Sequence, residues 1–239
     1  MRWILTLLQI STRRCSRPAF AVPTAGIGPS AGRAISSGVR SLFYDALVNA
    51  HGLSRDPFKA LVAPRPIGWI STLSADGVVN LAPYSFFNAV ATNPHYVMFS
   101  SAGRKDSQCN AEETGEFVCS LATYDLKEHV NRTAAPVSPD VNEMTLAGLT
   151  AAPCKLVKPP RVKESPVAFE CEYHQTIELP GGGRDGVWYI VLGRVLGIHI
   201  DDEVIADGMV DITRLRPIAR LGYEDYAVVD SVFSMQRPK

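Results

Sequence analysis

The chain has 239 residues, 46% hydrophobic and 20% charged, the proportions of an ordinary globular protein with room for one large domain or two small ones. Its formal net charge is zero, yet residues 1–40 hold six Arg with no Lys and no acid, which leaves the remaining 199 residues at −6. A body of that sign lacks the basic face that nucleic-acid binding needs, and no apolar run approaches the roughly 20 residues of a bilayer span.

The leader comes first in chain order. Residues 1–40 open with Trp3, Ile4, Leu5, Leu7, Leu8 and Ile10, followed by Arg13 and Arg14. Apolar residues with Arg and without carboxylates describe an organelle-import presequence, mitochondrial (matrix) in preference to plastid. A secretory signal peptide competes, with Trp3 to Ile10 as a short apolar core. Residues 20–38, rich in Gly, Pro, Ala and Ser, read as linker. The folded body is then expected at 41–239.

Leu42 to Leu53 is expected to form a short helix with Asp45 in its first turn. Ile67 to Leu73 and Val78 to Ala82 read as a hairpin across the turn Ser74-Ala75-Asp76-Gly77. Tyr96 to Ser101 and Phe117 to Ala122 are further strands. Between them a helix runs from Ser107 to Thr114, capped by Asp106 or Ser107. Asp125–Arg132 and Val141–Ala147 read as short helices within an excursion punctuated by Pro136, Pro139 and Pro153. Val167 to Leu179 alternates with period two, placing Phe169, Cys171 and Tyr173 on one face and Glu170, Glu172 and His174 on the other, which predicts a half-buried strand. Residues 180–186 (PGGGRDG) form a loop to the partner strand Val187–Ile200, apolar on both faces. Gly193 and Gly197 there mark close approach of a ligand or another backbone. Asp211 to Leu221 has short helix or turn character. About six strands with a few short helices predict a β-barrel with helical insertions; there is no GxGxxG and no regular strand–helix alternation.

Of the five cysteines, Cys15 lies in the leader. Cys109, Cys119, Cys154 and Cys171 form no CxxC pair and have no His at metal-ligand spacing, so neither a metal site nor a disulfide framework is expected. Cys119 and Cys171 fall on apolar strand positions as small buried hydrophobes. The block Arg65–Asn110 is the chemically informative one. Its strands alternate apolar residues with small hydroxyls and end in Arg104, Lys105, Asp106 and Ser107. Such a surface suits a flat, polar-edged ligand with a phosphate tail.

The residues Arg65-Pro66-Ile67-Gly68-Trp69-Ile70-Ser71-Thr72, then Asn80 through Asn88 (NLAPYSFFN), then Lys105-Asp106-Ser107 with Asn110, resemble the flavin reductase-like family of FMN-binding split barrels. The segments Gly193-Arg194-Val195 through Asp202 and Pro217 through Gly222 with Tyr226 are similar to it as well. The resemblance covers about residues 42–227. It implies a six-stranded antiparallel split barrel, a homodimer, and FMN (FAD in some members) in a groove at the dimer interface. Many members reduce flavin with NADH or NADPH. Ser107 stands where Thr is commoner, which preserves the hydroxyl.

For such a cofactor the phosphate needs donors and positive charge. Lys105 and Arg104, with Ser107 at a helix N-terminus and Ser100 and Ser101 on the preceding strand, are the candidates. Donors to the ring edge, where charge develops on reduction, would come from Ser71, Thr72, Ala82, Tyr84 and Ser85. Pro83 has no N–H to offer. Trp69, Phe86 and Phe87 are expected in the core. Hydride transfer between two rings needs no protein nucleophile, so no catalytic residue is assigned. His199 is either a wall of the flavin or nicotinamide site or a buried, hydrogen-bonded structural residue. Three functions follow from the resemblance: an NAD(P)H-dependent FMN oxidoreductase, a flavin-binding electron carrier reduced by a partner protein, and an interaction module with a degenerate site.

Overall fold

The computed structural model describes residues 41–181 and 185–238. The expected presequence and linker, and the middle of the 180–186 loop, lie outside the described residues. The described residues divide between two units, 41–51 and 52–238. In the first unit, the predicted helix at 42–53 is not formed. Residues 46–49 make a single turn, with the Asn49 amide on the Asp45 carbonyl at 2.8 Å and the Leu47 amide on the Asp45 carboxylate at 2.8 Å. Asn49 has a φ of 55°, a left-handed conformation that ends a right-handed turn.

The second unit runs in order through α1 (Phe58–Leu61), β1 (Arg65–Pro66), β2 (Gly68–Leu73), β3 (Val79–Tyr84), β4 (Phe87–Ala91), β5 (Tyr96–Ala102) and α2 (Asp106–Thr114). Next come β6 (Glu116–Leu121), α3 (Lys127–Arg132), α4 (Glu143–Leu146), β7 (Ala151–Ala152), β8 (Arg161–Val162), β9 (Val167–Pro180) and β10 (Val187–Ile200). The end holds β11 (Ile205–Ala206), β12 (Met209–Val210), α5 (Ile212–Leu215), β13 (Ile218–Arg220) and β14 (Tyr226–Val228). None of the described helices is long and apolar enough to cross a membrane.

Seven of these strands form one antiparallel sheet in the order β3-β2-β6-β9-β10-β5-β4. The expected hairpin is present: Thr72 faces Asn80 across β2 and β3, and Gly77 takes its turn at φ 83°. The sheet has one more strand than the six-stranded reading, because Phe87–Ala91 pairs with β5 as an edge. It curls into a split barrel. Tyr84 near one edge packs on Phe99 of β5 with ring centroids 4.8 Å apart, and the ring of Phe87 closes against Gly68, where a Cβ would meet it at 2.4 Å.

Pleating sorts the side chains. Ile70, Tyr84, Val97, Phe99, Phe117, Cys119, Cys171 and Val191 fill the barrel interior, drawn from β2, β3, β5, β6, β9 and β10. Trp69 and Leu81 point the other way, into a second core with Val130, Met144, Leu149, Val162 and Ile218. The 122–162 excursion is therefore a lid on the outer face of β2 and β3. Each fully enclosed large side chain contributes about 1.5–3 kcal/mol, and Trp69 also donates its indole N–H to Thr133 Oγ1 at 2.8 Å. Asn142 and Asp211 cap α4 and α5 with their side chains.

The polar face assigned to β9 is only partly solvated. Glu170 is 1% exposed. Its carboxylate accepts the amides of Lys155 at 2.8 Å, Leu156 at 2.6 Å and Val157 at 3.2 Å, and pairs with His199 Nε2 at 2.5 Å. Burial alone would push this carboxyl up, but the amides and His199 outweigh it and hold it below the ordinary carboxylate range. A carboxyl depressed in the folded state stabilises above its unfolded value and loses that contribution as pH falls through the folded one. Wild type should therefore lose stability more steeply below about pH 4 than Glu170→Gln. Denaturant midpoints across that range check this; parallel profiles would remove Glu170 from acid unfolding.

Candidate functional site

The first helical turn of α2 decides the character of the site. Neither Asp106 nor Ser107 is its cap. Lys105 occupies the cap position in extended conformation (φ −138°, ψ 163°), and no side chain caps the helix. The first backbone hydrogen bond runs from the Cys109 amide to the Lys105 carbonyl at 2.9 Å. The preceding amides of a helix have no carbonyl of their own and carry the positive end of its dipole. Such an uncapped nine-residue helix is suited to accept an anion there.

Ser107 lies inside the helix, two residues past the cap position, and its hydroxyl is committed elsewhere. Asn80 Nδ2 on β3 donates to Ser107 Oγ at 2.8 Å and lies 3.3 Å from Thr72 Oγ1, which also accepts from Asn110 Nδ2 at 3.1 Å. All four residues are buried. This ladder ties β2 and β3 to α2 beneath a groove. Because Ser107 Oγ already accepts from Asn80, its own hydrogen is left for Tyr84 or for a ligand in the groove. Tyr84, next but one to Ala82 along β3, hydrogen-bonds with the Ser107 and Ser101 hydroxyls, and its burial pushes the phenol up to about 12. It is therefore a neutral phenol at physiological pH.

The groove has a volume of about 330 Å³. One wall is Asn80, Ala82 and Tyr84 from β3, another is Arg104 to Ser107, and the far wall is the 133–137 loop with Glu143 of α4. Five predicted residues thus meet: Ala82, Tyr84, Arg104, Lys105 and Ser107. Two more, Thr72 and Ser101, are buried beside them as hydrogen-bond supports, Ser101 donating to the Gly103 carbonyl at 2.8 Å.

Three predicted residues lie elsewhere. Ser71 is fully enclosed on the outer face of β2, its hydroxyl donated to the Pro160 carbonyl. Ser100 and Ser101 sit on opposite faces of β5, as neighbours on a strand must, and Ser100 is not part of the groove wall. Ser85 lines a different cavity. His199 is not in the groove either; it stands on β10 against Glu170. Cys154 lies near both, with one ligand atom from each of the three within 4.8 Å of the others. Three amides and His199 already occupy the Glu170 carboxylate, which makes this cluster a clasp between the 154–157 segment and the sheet.

Arg104 is half-committed. It pairs with Glu112 at 3.0 Å and stacks over the Tyr189 ring at 5.6 Å. Asn80 and Asn110, which carry the family resemblance without an expected site role, and Glu143 join the predicted residues here. Asn80 was findable from period two, because it shares the face of Ala82 and Tyr84. Glu143 was not: it reaches the groove only because the excursion folds back, and it is 6% exposed with an oxygen accepting the Leu81 amide at 3.0 Å. Burial pushes its carboxyl up. A second groove of about 350 Å³, between α3 and β14, is mostly apolar and gathers none of the predicted residues.

Residues 61–218 match the flavin reductase like domain family. Among relatives, an uncharacterized protein of Aquifex aeolicus is 38% identical over 172 residues, 70% of this chain and 85% of its own length. YwrF of Bacillus subtilis, also uncharacterized, is 36% identical over 194 residues, 77% of this chain and 95% of its own. Nitrilotriacetate monooxygenase component B from Bacillus cereus superposes with a TM-score of 0.75 at 32% identity, over 83% of this chain and all of that one. The flavoredoxin of Desulfovibrio vulgaris (Miyazaki F) shares the fold, with a TM-score of 0.62 at 20% identity over 85% and 97% of the two chains. The chain belongs to the flavin reductase-like family, with the split-barrel fold its strands describe.

Proposed function

We propose that this protein binds FMN in the groove beside α2 and acts as an NAD(P)H-dependent oxidoreductase. The observation that carries the reading is the uncapped N-terminus of α2, flanked by Lys105 and the Ser107 hydroxyl and facing Tyr84. Lys105 and the helix amides would hold the phosphate, with Ser107 donating the hydrogen that Asn80 leaves available. Arg104 contributes less, since Glu112 shares its charge. The neutral Tyr84 phenol and the backbone of Ala82 would lie along the ring. Bound FMN supplies hydride acceptance, and the protein supplies binding, orientation and a dry wall. No side chain is assigned a covalent role.

The test is spectroscopic. Purified protein loaded with FMN should lose its yellow absorbance when NADH or NADPH is added without oxygen. Protein that binds FMN but stays yellow until a partner protein is supplied would be an electron carrier instead. Failure to bind flavin would end both readings.

The same proposal includes a homodimer and a mitochondrial address. Ile177 and Leu179 toward one end of the β9–β10 ribbon, and Leu196, Ile198 and Ile200 toward the other, are exposed, apolar surface that a second copy would cover. Light scattering during gel filtration should give twice the chain mass; a monomer would refute it. A fluorescent fusion of residues 1–45 should collect in mitochondria, and diffuse signal would refute the address.

A further inference from the structure

A third cavity, of about 340 Å³, lies at the other end of the Tyr84–Ser85 step. Tyr84 lines the groove described above, and Ser85 lines this one. Its walls include four cations, Arg55, Lys59, Arg65 and Arg220, against the single carboxylate of Asp56. That acid is partly engaged already, accepting the Phe58 amide at 2.8 Å.

Two of the cations are forced together by the fold. Arg65 on β1 and Arg220 on β13 are direct partners across an antiparallel pair, a position where like charges destabilise. Arg65 is 6% exposed. Its guanidinium hydrogen-bonds backbone carbonyls, those of Lys59, Val62 and Leu221, and lies over the Phe86 ring, and its Nε has no hydrogen-bond partner among the described residues. Arg220 likewise bonds neutral groups, the Tyr223 carbonyl and the Tyr226 hydroxyl. Glu224 meets Arg55 at 3.8 Å with both side chains largely exposed, a contact worth little. Burial and the charge of Arg220 both press the Arg65 guanidinium toward losing its proton, which an arginine resists. A buried cation without a carboxylate is costly unless an anion completes it.

A purely structural part for Arg65, tying α1 to the Leu221 turn, accounts for its carbonyl contacts. It does not account for a second arginine placed opposite it, nor for the cationic surplus around an open cavity. We infer that this pocket is an anion site for a phosphate-bearing small molecule, gripped between Arg65 and Arg220 with Lys59 and Arg55 at the mouth. Guanidinium groups match phosphate oxygens in charge and geometry. Two sources share that chemistry: the diphosphate of a nicotinamide dinucleotide, a choice that rests on the function proposed above, and a free phosphate or polyphosphate.

Calorimetric titration of the FMN-loaded full chain with pyrophosphate, and separately with NADH and NADPH, tests the site. Arg220→Gln should weaken pyrophosphate binding by about tenfold or more. The double variant Arg55→Gln/Lys59→Gln alters only exposed side chains of the mouth and should weaken it severalfold if Arg220→Gln fails to fold. Flavin content should be the same in all proteins, which separates this pocket from the flavin phosphate site. If NADH or NADPH is displaced by pyrophosphate and weakened by the same substitutions, the anion is the dinucleotide's. If pyrophosphate alone responds, the pocket serves a free phosphate. Absence of pyrophosphate binding at millimolar concentration, or an affinity unchanged by the substitutions, overturns the inference. Because binding is read directly, a protein that proves unable to oxidise NADH would leave this result intact.

Discussion

Lys105→Ala should weaken FMN binding by about 10- to 100-fold while leaving riboflavin affinity nearly unchanged. The two ligands differ only in the phosphate, so their ratio isolates the α2 N-terminus from the rest of the groove. Lys105 stands at the cap of a helix that no side chain caps, where its charge adds to that of the open amides. Ser107→Ala should behave differently. It removes the donor proposed for the phosphate and also the acceptor for the buried Asn80 amide, so it should cost about 1–2 kcal/mol of stability as well as FMN affinity. Quenching of flavin fluorescence gives both affinities, and denaturant midpoints give the stability. Equal loss of FMN and riboflavin in Lys105→Ala would place the phosphate elsewhere.

The parts of this fold that were legible in the sequence are those set by short-range physics. The apolar run Ile67–Leu73, a Gly at the one turn position needing positive φ, and period two across Val167–Leu179 located the hairpin and the long strand β9. Cys119 and Cys171 were readable as small buried hydrophobes on apolar strand positions, and both are buried in the barrel interior. Long-range arrangements were not legible. Glu170 has the sequence position of a solvated residue, and becomes buried because the 154–157 segment folds over it. Ser107 has the identity of a cap, yet the helix begins before it, with Lys105 at the cap position, and Asn80, 27 residues away, bonds its hydroxyl. Leu42–Leu53 has enough apolar residues for a helix, yet Asn49 and Gly52 take left-handed conformations that end it. In the site, the phosphate half was legible because it is one contiguous run, whereas the far wall with Glu143 is brought in by tertiary folding alone.

Gly193→Ala should destabilise the barrel by about 3 kcal/mol, lowering the melting temperature by about 6–12 °C. The sequence pointed to a ligand or another backbone near this glycine. The structure puts a side chain there: an added Cβ would lie 2.3 Å from both Cε1 and Cζ of Phe117 and 3.3 Å from the Glu172 carbonyl oxygen. Phe117 is itself fully buried and edge-on to Phe99 at 5.5 Å, so its ring has nowhere to withdraw. Backbone conformation is not the obstacle, because Gly193 does not have a positive φ. At such a position Ala would ordinarily stabilise by about 0.4–1 kcal/mol through the unfolded chain, so the sign of the result reports the clash directly. A double-mutant cycle with Phe117→Leu identifies the partner. Phe117→Leu alone should cost stability by emptying part of the core, but in that background Gly193→Ala should cost about 1 kcal/mol, a coupling of about 2 kcal/mol. If Gly193→Ala costs the same in both backgrounds, the bulge in register between Leu192 and Gly193 on β10, rather than the Phe117 ring, is what requires glycine.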